Sequence, residues 1–158
     1  MNSVLNEILH ICDRHADRLA WAMSVLHPHF PLSAQSLNVL SDVEIAVLDQ
    51  FSTRFGKLQD AMGAKLFPAV LELTKEQGEL KAFIDKLNRL EKIGAIASAE
   101  EWLLLREVRN AFSHDYPDDL ALQATVLNQS YALAAQLLSI YEGIKVFIEP
   151  YCSRKVST

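Results

Sequence analysis

The sequence predicts an all-α fold: a single domain over residues 1–158, built as an up-and-down bundle of four to five helices. Long stretches carry apolar residues three or four positions apart, which is the repeat of an amphipathic helix. Only five glycines and five prolines interrupt the chain, and no segment alternates polar and apolar residues as a half-buried strand does. A chain of 158 residues that is 50% hydrophobic can bury one sizeable core.

The first predicted helix spans about residues 3–27. It ends in the segment HPHFP, because Pro28 and Pro31 disfavour helical backbone. We place the core of the domain at about residues 41–147.

A second helix is predicted to begin at Ser41, because Ser41 and Glu44 have the spacing of a capping box. Gly63 and Pro68 should bend or divide this helix before it ends near Gln77. The segment between the two ends carries an apolar stripe: Val43, Val47, Phe51, Phe55, Leu58 and Met62.

A third helix is predicted over about 79–93 and ends before Gly94. Ser98 and Glu101 form a second capping-box pattern, which opens a fourth helix that reaches towards His114.

The last helix is predicted to start after the segment DYPDD, where Asp118 or Asp119 can act as its N-cap. It should continue to about Phe147. Residues 148–158 are then expected to be a C-terminal tail.

The net charge and the distribution of apolar residues exclude some classes of function. The net charge of −5 argues against a surface that binds nucleic acid indiscriminately, because such surfaces are usually basic. Any function directed at RNA must therefore depend on a few placed cations. No continuous apolar run approaches the length of a membrane span, and the N-terminus does not resemble a secretion signal. We expect a cytoplasmic protein with no membrane partner.

Histidine and cysteine offer weak candidates for other chemistry. His10, His15, His27 and His29 lack the supporting carboxylate or cysteine spacing of a metal site, so we predict no metal and no cofactor. Cys12 and His15 share one helix face, but no third group is evident to orient them. Two distant cysteines also do not suggest a disulfide framework.

The fourth helix carries an unusual boundary between its apolar and polar faces. Arg109 falls inside the edge of the apolar arc, and Arg106, Asn110 and His114 form a row at spacing four beside it. Two ordinary explanations exist: an arginine at such an edge often lays its stem on apolar surface, and a histidine near a helix C-terminus interacts favourably with the helix dipole.

Arg109 and His114 would not point the same way in an ideal helix, because five residues rotate the direction by about 140°. Either the helix loosens near Asn110 and Ser113, or the two side chains converge on a groove shared with another helix.

The segment RNAFSHDY, residues 109–116, resembles the Arg-x4-His-x-Tyr motif of the HepT-like branch of the HEPN superfamily. These are small all-helical proteins, many of which are toxin ribonucleases paired with a minimal nucleotidyltransferase antitoxin. The resemblance in helical architecture spans roughly residues 41–147, and the region before Ser41 adds little to it. The segment RFGKLQDAMG is similar to the polar-lined helix that precedes the motif helix in such proteins.

The resemblance implies a metal-independent endoribonuclease that acts as a homodimer. His114 would exchange protons with the ribose 2′-hydroxyl or the leaving 5′-oxygen, for which an ordinary imidazole pKa is suitable. Arg109 would bind the scissile phosphate. Asn110 would orient the motif, Arg106 could add a phosphate contact, and Asp60 or Arg54 of the preceding helix could support the site.

The resemblance also implies a partner. In relatives with this motif, the nucleotidyltransferase adds adenylate groups to the tyrosine, which is Tyr116 here. A partly buried aromatic residue with a wet hydroxyl is an equally good account of Tyr116. Two other functions remain open: a non-catalytic module that binds a nucleotidyltransferase, and a plain oligomerisation domain in which the motif only caps and packs.

Overall fold

The computed structural model describes residues 3–76, 82–111 and 119–153. Within these ranges every regular element is helical, so the predicted all-α class is confirmed. The described ranges contain seven α-helices: α1 (Ser3–Leu26), α2 (Ala34–Asn38), α3 (Asp42–Ala61), α4 (Phe67–Leu73), α5 (Phe83–Lys92), α6 (Ala99–Ala111) and α7 (Leu120–Ser153). A short 3-10 helix (His27–His29) follows α1, and a π-helical turn (Met62–Leu66) joins α3 to α4.

The segment between α1 and α3 contains the short helix α2, which the sequence pattern did not reveal. It is attached to α7 by Asn128: the Leu32 N–H donates to Asn128 Oδ1 at 2.7 Å, and Asn128 Nδ2 donates to the Leu32 carbonyl at 2.9 Å. The Phe30 ring also stacks on Tyr131 of α7, with 4.1 Å between ring centroids. These long-range contacts cannot be read from local periodicity.

The predicted second helix is one helical rod that a π turn interrupts where a bend or a division was expected. The Ser41–Glu44 capping box is present at its start. The π turn follows at Met62–Leu66, with the Phe67 N–H donating to the Met62 carbonyl five residues earlier. Pro68 follows the π turn directly, and a proline within a continuing helix removes one backbone N–H donor, which is a recognised cause of such irregularity.

The predicted end of this rod near Gln77 is wrong, because α4 ends at Leu73. Lys75 has a positive φ of 57°, and the Glu76 N–H turns back to the Leu71 carbonyl at 2.9 Å. A residue in the left-handed region terminates an α-helix in this way. The helix start that was predicted at 79 lies outside the described residues, and α5 is described from Phe83.

The later helix ends follow their predicted signals. Gly94 has a φ of 87° directly after α5, and Ser98 Oγ accepts the Glu101 N–H at 3.1 Å at the start of α6. Asp119 is the N-cap of α7, since its Oδ1 accepts the Leu122 N–H at 2.9 Å. Asp118 lies outside the described residues.

Two predictions about the extent of the core are wrong. The tail predicted from residue 148 is helical up to Ser153, because the buried stripe of α7 continues as far as Ile148. The core also does not begin at Ser41. Helix α1 packs along α3 and contributes its own buried face: Leu5, Cys12, Ala16, Leu19, Ala22 and Leu26.

Hydrogen bonds between polar side chains join α1 to α7. The buried Tyr141 hydroxyl donates to Asp13 at 2.7 Å, and Lys145 Nζ lies 3.0 Å from the same carboxylate oxygen. Burial alone would raise the pKa of Asp13, but these two hydrogen bonds and the Lys145 charge outweigh it, and the pKa is lowered.

One helix among the described residues is long and apolar enough to cross a membrane, namely Leu120–Cys152, whose most apolar window has a hydropathy of 1.3. About a quarter of that window (28%) is buried inside the protein. The core helix of a globular domain passes the same test, so length and composition do not decide where this helix belongs.

Candidate functional site

A groove of about 650 Å³ opens between α3, the π turn, α5 and α6. Four of the residues predicted from the sequence line it together: Asp60, Arg106, Arg109 and Asn110. The remaining lining residues are Gln59, Gly63, Ala64, Phe83 and Trp102. Arg106 and Asn110 therefore share one face of α6, as their spacing of four predicts.

Arg109 is held at the groove by Asp60. Its Nη2 donates to Asp60 Oδ2 at 3.0 Å, and its Nε donates to Asp60 Oδ1 at 3.3 Å. The planar guanidinium meets the carboxylate with two parallel bonds, which fix its direction as well as its position. The Asp60 side chain is 59% exposed, so water screens the ion pair. The pair therefore adds little to the stability of the fold, and its main effect is to orient the Arg109 guanidinium.

Gly56 gives the Arg109 head its place against α3. A Cβ added at Gly56 would lie 3.7 Å from Cζ and from Nε of Arg109, which is ordinary van der Waals contact. A larger side chain at this position would occupy the space of the guanidinium. Arg109 thus lies with its guanidinium against a part of α3 where no side chain projects at position 56.

The other end of the groove is aromatic. The Arg106 guanidinium lies over the Phe83 ring, 5.3 Å from its centroid, which is cation–π geometry. Trp102 is buried beside it and packs against Phe67 at 4.6 Å between ring centroids. Gly63 leaves space for both groove aromatics, since a Cβ there would come within 3.4 Å of Trp102 and 3.6 Å of Phe83.

Gln59 of α3 also lines the groove. Its side chain is only 3% exposed, and neither its Nε2 nor its Oε1 has a hydrogen-bond partner among the described residues. Buried amides are nearly always paired, and each unpaired buried group costs about 1–3 kcal/mol. The sequence analysis did not single out Gln59, because nothing in the local pattern shows which α3 residues face α6.

Two predicted site residues, His114 and Tyr116, lie outside the described residues. Helix α6 is described up to Ala111, so the groove contains the arginine end of the motif. How the direction of Arg109 relates to that of His114 stays a prediction.

Arg54 does not support this groove. It points to α1, where its Nη1 lies 2.9 Å from Nδ1 of His15. Because arginine can only donate, Nδ1 is the acceptor and the imidazole is neutral. The pKa of His15 is lowered by burial and then by the nearby cations, Arg54 first, followed by Lys57, Arg14 and Lys65.

The other sequence candidates show no arrangement for chemistry. Within residues 3–76, 82–111 and 119–153, no group of three histidine, cysteine or acidic residues could hold a metal ion. The Cys12 thiol is fully buried, and burial together with the Asp13 charge raises its pKa to about 11. Such a thiol stays protonated at neutral pH and is a poor nucleophile.

A second groove, of about 540 Å³, lies between α6 and α7 on the opposite side of α6. Leu103 and Leu104 are 37% and 48% exposed there. Acidic side chains surround these leucines: Glu100, Glu101 and Glu107. This surface is apolar in the middle and negative at its edge.

The chain matches no family model, no curated protein and no solved structure. The residues of the two grooves are therefore the basis for assigning a function. Residue spacing and the family resemblance predicted Arg106, Arg109 and Asp60 as site residues. The prediction did not include Gln59, Phe83, Gly56 and Gly63. The two glycines are seven residues apart and so share one helix face, which is a signal that could have revealed them.

Proposed function

We propose that this chain is a metal-independent endoribonuclease toxin of the HepT-like HEPN type, neutralised by a nucleotidyltransferase antitoxin. The observation that supports the proposal most directly is that Arg109, Arg106, Asn110 and Asp60 line one groove. Two guanidinium groups in one concave site on an acidic protein are suited to bind a phosphodiester.

Arg109 keeps donors for a phosphate while Asp60 holds it. An arginine has five N–H donors, and the Asp60 carboxylate takes one from Nε and one from Nη2. The Nη1 group takes no part in that pair. Asp60 is therefore proposed as a positioning residue, and Arg109 as the group that stabilises negative charge on the phosphate oxygens.

The proposed reaction is a transesterification within the RNA. His114 accepts the proton of the ribose 2′-hydroxyl, and the 2′-oxygen attacks the adjacent phosphorus. The bond from phosphorus to the 5′-oxygen breaks, and the leaving oxygen receives a proton from an imidazolium. The products are a 2′,3′-cyclic phosphate and a 5′-hydroxyl, and no metal ion is required.

The finer architecture belongs to the same proposal. We propose an up-and-down helical bundle that forms a homodimer, with the groove between two copies. Each copy would contribute Arg106 and Arg109, so the shared cleft would be cationic although the net charge of each chain is −5. The proposed location is the cytoplasm, with RNA as substrate and no cofactor.

Tyr116 is proposed as the site at which the antitoxin acts. Transfer of adenylate to its hydroxyl would add negative phosphate next to the RNA groove and repel the substrate backbone. Mass spectrometry of protein co-expressed with the nucleotidyltransferase measures this directly. A silenced protein whose Tyr116 peptide carries no added mass would contradict the proposed modification.

Cleavage of RNA in the presence of EDTA tests the enzyme. We expect the wild type to cleave, and Arg109→Ala and His114→Ala to lose about 10²–10³-fold in rate, the usual effect of removing a charge-stabilising donor or an acid–base group. Arg89→Ala is the matched control, because Arg89 is paired with Glu76 away from the groove. Equal rates in all four proteins, or no cleavage by the wild type, would contradict the proposal.

The second groove favours a different function, a non-catalytic module that binds a nucleotidyltransferase. The exposed Leu103 and Leu104 could pack against the apolar face of an amphipathic partner segment, and the surrounding glutamates could pair with basic residues of that segment. Expression of the chain alone separates the two functions: growth should stop if it is a toxin and continue if it only binds a partner. Leu104→Asp should then abolish the partner complex without affecting the fold.

A further inference from the structure

We propose that the groove holds an unstacked adenine base of the substrate, whose edge is read by the amide of Gln59. The inference depends on the proposed function for its substrate class, RNA, and adds to it a base specificity. It assigns a role to the aromatic end of the groove, which phosphate binding by Arg109 leaves unused.

The unpaired amide of Gln59 is the first observation behind the proposal. At 3% exposure, both polar atoms are withdrawn from water and neither has a partner among the described residues. An arrangement that costs free energy in the empty protein is relieved when a ligand supplies the missing partners. Turning the side chain about its terminal torsions would present the amide to the groove that the residue lines.

The partners of the amide fit a base. The Oε1 atom accepts and Nε2 donates, so the amide pairs with an edge that offers one donor next to one acceptor. Adenine presents N6–H and N7 in this order, and glutamine reads this edge with two parallel bonds. Single-stranded RNA exposes such edges, because its bases can leave the stack.

The aromatic end supplies the planar surfaces that a base needs. The Arg106 guanidinium lies over the Phe83 ring and is the plane on which a base can stack, while Trp102 is buried and forms part of the groove wall. Bases of single-stranded RNA stack on aromatic rings and on guanidinium planes alike. Gly63 keeps this end open, because any side chain there would lie against Trp102 and Phe83.

The groove offers a separate partner for each part of a nucleotide. Arg109, which Asp60 holds, can bind a phosphate, and Gln59, Phe83 and Arg106 line the same groove. A phosphate at Arg109 would thus place an adjoining base towards Phe83. The volume of about 650 Å³ is in the range of small-ligand sites.

Equilibrium binding of short oligonucleotides tests the proposal separately from cleavage. The protein carries His114→Ala so that the RNA stays intact. The probes are an oligouridylate with a single central adenosine, the same oligonucleotide with 7-deazaadenosine at that place, and the all-uridine sequence. We expect the adenosine probe to bind about ten-fold more tightly than the other two, since the 7-deaza base lacks the N7 acceptor.

Gln59→Leu in the same background removes the amide while keeping an apolar side chain of similar size. The variant should fold with an unchanged or raised Tm, because it eliminates an unpaired buried group. Its affinities for the adenosine and 7-deazaadenosine probes should become equal. Gln50→Leu, also on α3, is the matched control and should keep the ten-fold preference.

Several outcomes would overturn the inference. Equal binding of all three probes, or a preference that persists in Gln59→Leu, excludes base reading by this amide. If no probe binds, the adenine site is wrong, and the EDTA cleavage assay on the wild type decides independently whether the ribonuclease proposal also fails.

Discussion

Two arginines that the sequence placed near one site are held by different partners. Arg109 is fixed by two bonds to a carboxylate, and Arg54 donates to an imidazole. The first arrangement leaves the arginine at a groove edge, ready for an anion. The second requires a neutral His15, because a protonated Nδ1 could not accept the bond and would add a charge next to Arg54.

The stability of the protein should therefore depend on pH through His15. Its pKa is lowered in the folded state, so between about 6.5, the usual unfolded value, and the lowered folded pKa the unfolded state binds more protons. This contribution to stability is fully present above that window and is lost as the pH falls through it. The fall in the free energy of unfolding on acidification should be smaller in His15→Gln than in the wild type.

Urea unfolding at about pH 7.5 and about pH 5.5 gives the two free energies. A glutamine keeps an acceptor for Arg54 but does not titrate. His10→Gln on the exposed side of α1 is the control for the general effect of removing a histidine. If His15→Gln shows the full pH dependence of the wild type, the role of His15 is wrong.

At the scale of whole elements, helix ends are decided by local chemistry and helix lengths by packing. Ser41, Ser98 and Asp119 cap the helices that follow them. Helix α7 extends past its predicted end, because buried residues recur at intervals of three and four: Ser130, Ala134, Leu137, Tyr141, Ile144 and Ile148. A regular stripe against the core keeps the chain helical where sequence alone suggested a tail.

Alanine substitutions at two glycines show how the local backbone conformation affects the stability of the fold. Gly143 lies inside α7 with open space where a Cβ would go, so Gly143→Ala should stabilise by about 0.5–1 kcal/mol through helix propensity. Gly94 has the same open space but a φ of 87°, so Gly94→Ala should destabilise by roughly 1–2 kcal/mol.

Thermal unfolding followed by circular dichroism measures both changes. For a chain of this size, 1 kcal/mol corresponds to a shift in Tm of about 2–4 °C. The two alanine variants should shift the Tm in opposite directions. A rise in both would mean that Gly94 does not cap α5 with a left-handed conformation.

The whole molecule is acidic, and its proposed substrate is a polyanion. A net charge of −5 disfavours broad attraction of RNA, so binding has to arise in the groove where Arg106 and Arg109 converge. If two copies share that groove, one arginine and one histidine from each become available to a single phosphodiester. This is a property of the assembly that no single chain has.

Mixing two inactive variants tests the shared groove. Arg109→Ala and His114→Ala homodimers should each be inactive, while exchanged heterodimers retain one Arg109 and one His114 in the common cleft. We expect the mixture to recover about a quarter to a half of the wild-type rate, because half of randomly paired dimers are mixed. Sedimentation should give a dimer for all three proteins.

A mixture that stays inactive although subunits have exchanged would contradict a shared site. Exchange itself is measured by mass spectrometry with one variant isotopically labelled. A sedimentation result of monomer would contradict the dimer directly.

The fold and the candidate site were predictable to different extents. Capping residues and the apolar repeat act over a few positions, so they predicted the class and most helix starts. The spacing of Arg106 and Asn110 also predicted that both face one side of α6. In contrast, Arg54 was expected near the same site, but it faces α1. It lies six positions before Asp60 on α3, and the helical rotation over six positions turns its side chain to another side of the helix.

By itself the sequence determined the all-α class, the capped starts of α3, α6 and α7, and the row of polar residues at the edge of α6, because each depends on neighbours within one or two helical turns. Only the tertiary structure decided that Arg109 meets Asp60 from 49 positions away and that α1 belongs to the core. It also decided that the buried Gln59 amide, which has no partner among the described residues, belongs to a groove lined by two aromatic residues. These contacts depend on how helices distant in the chain pack, and packing arises from the burial of all their apolar faces at once.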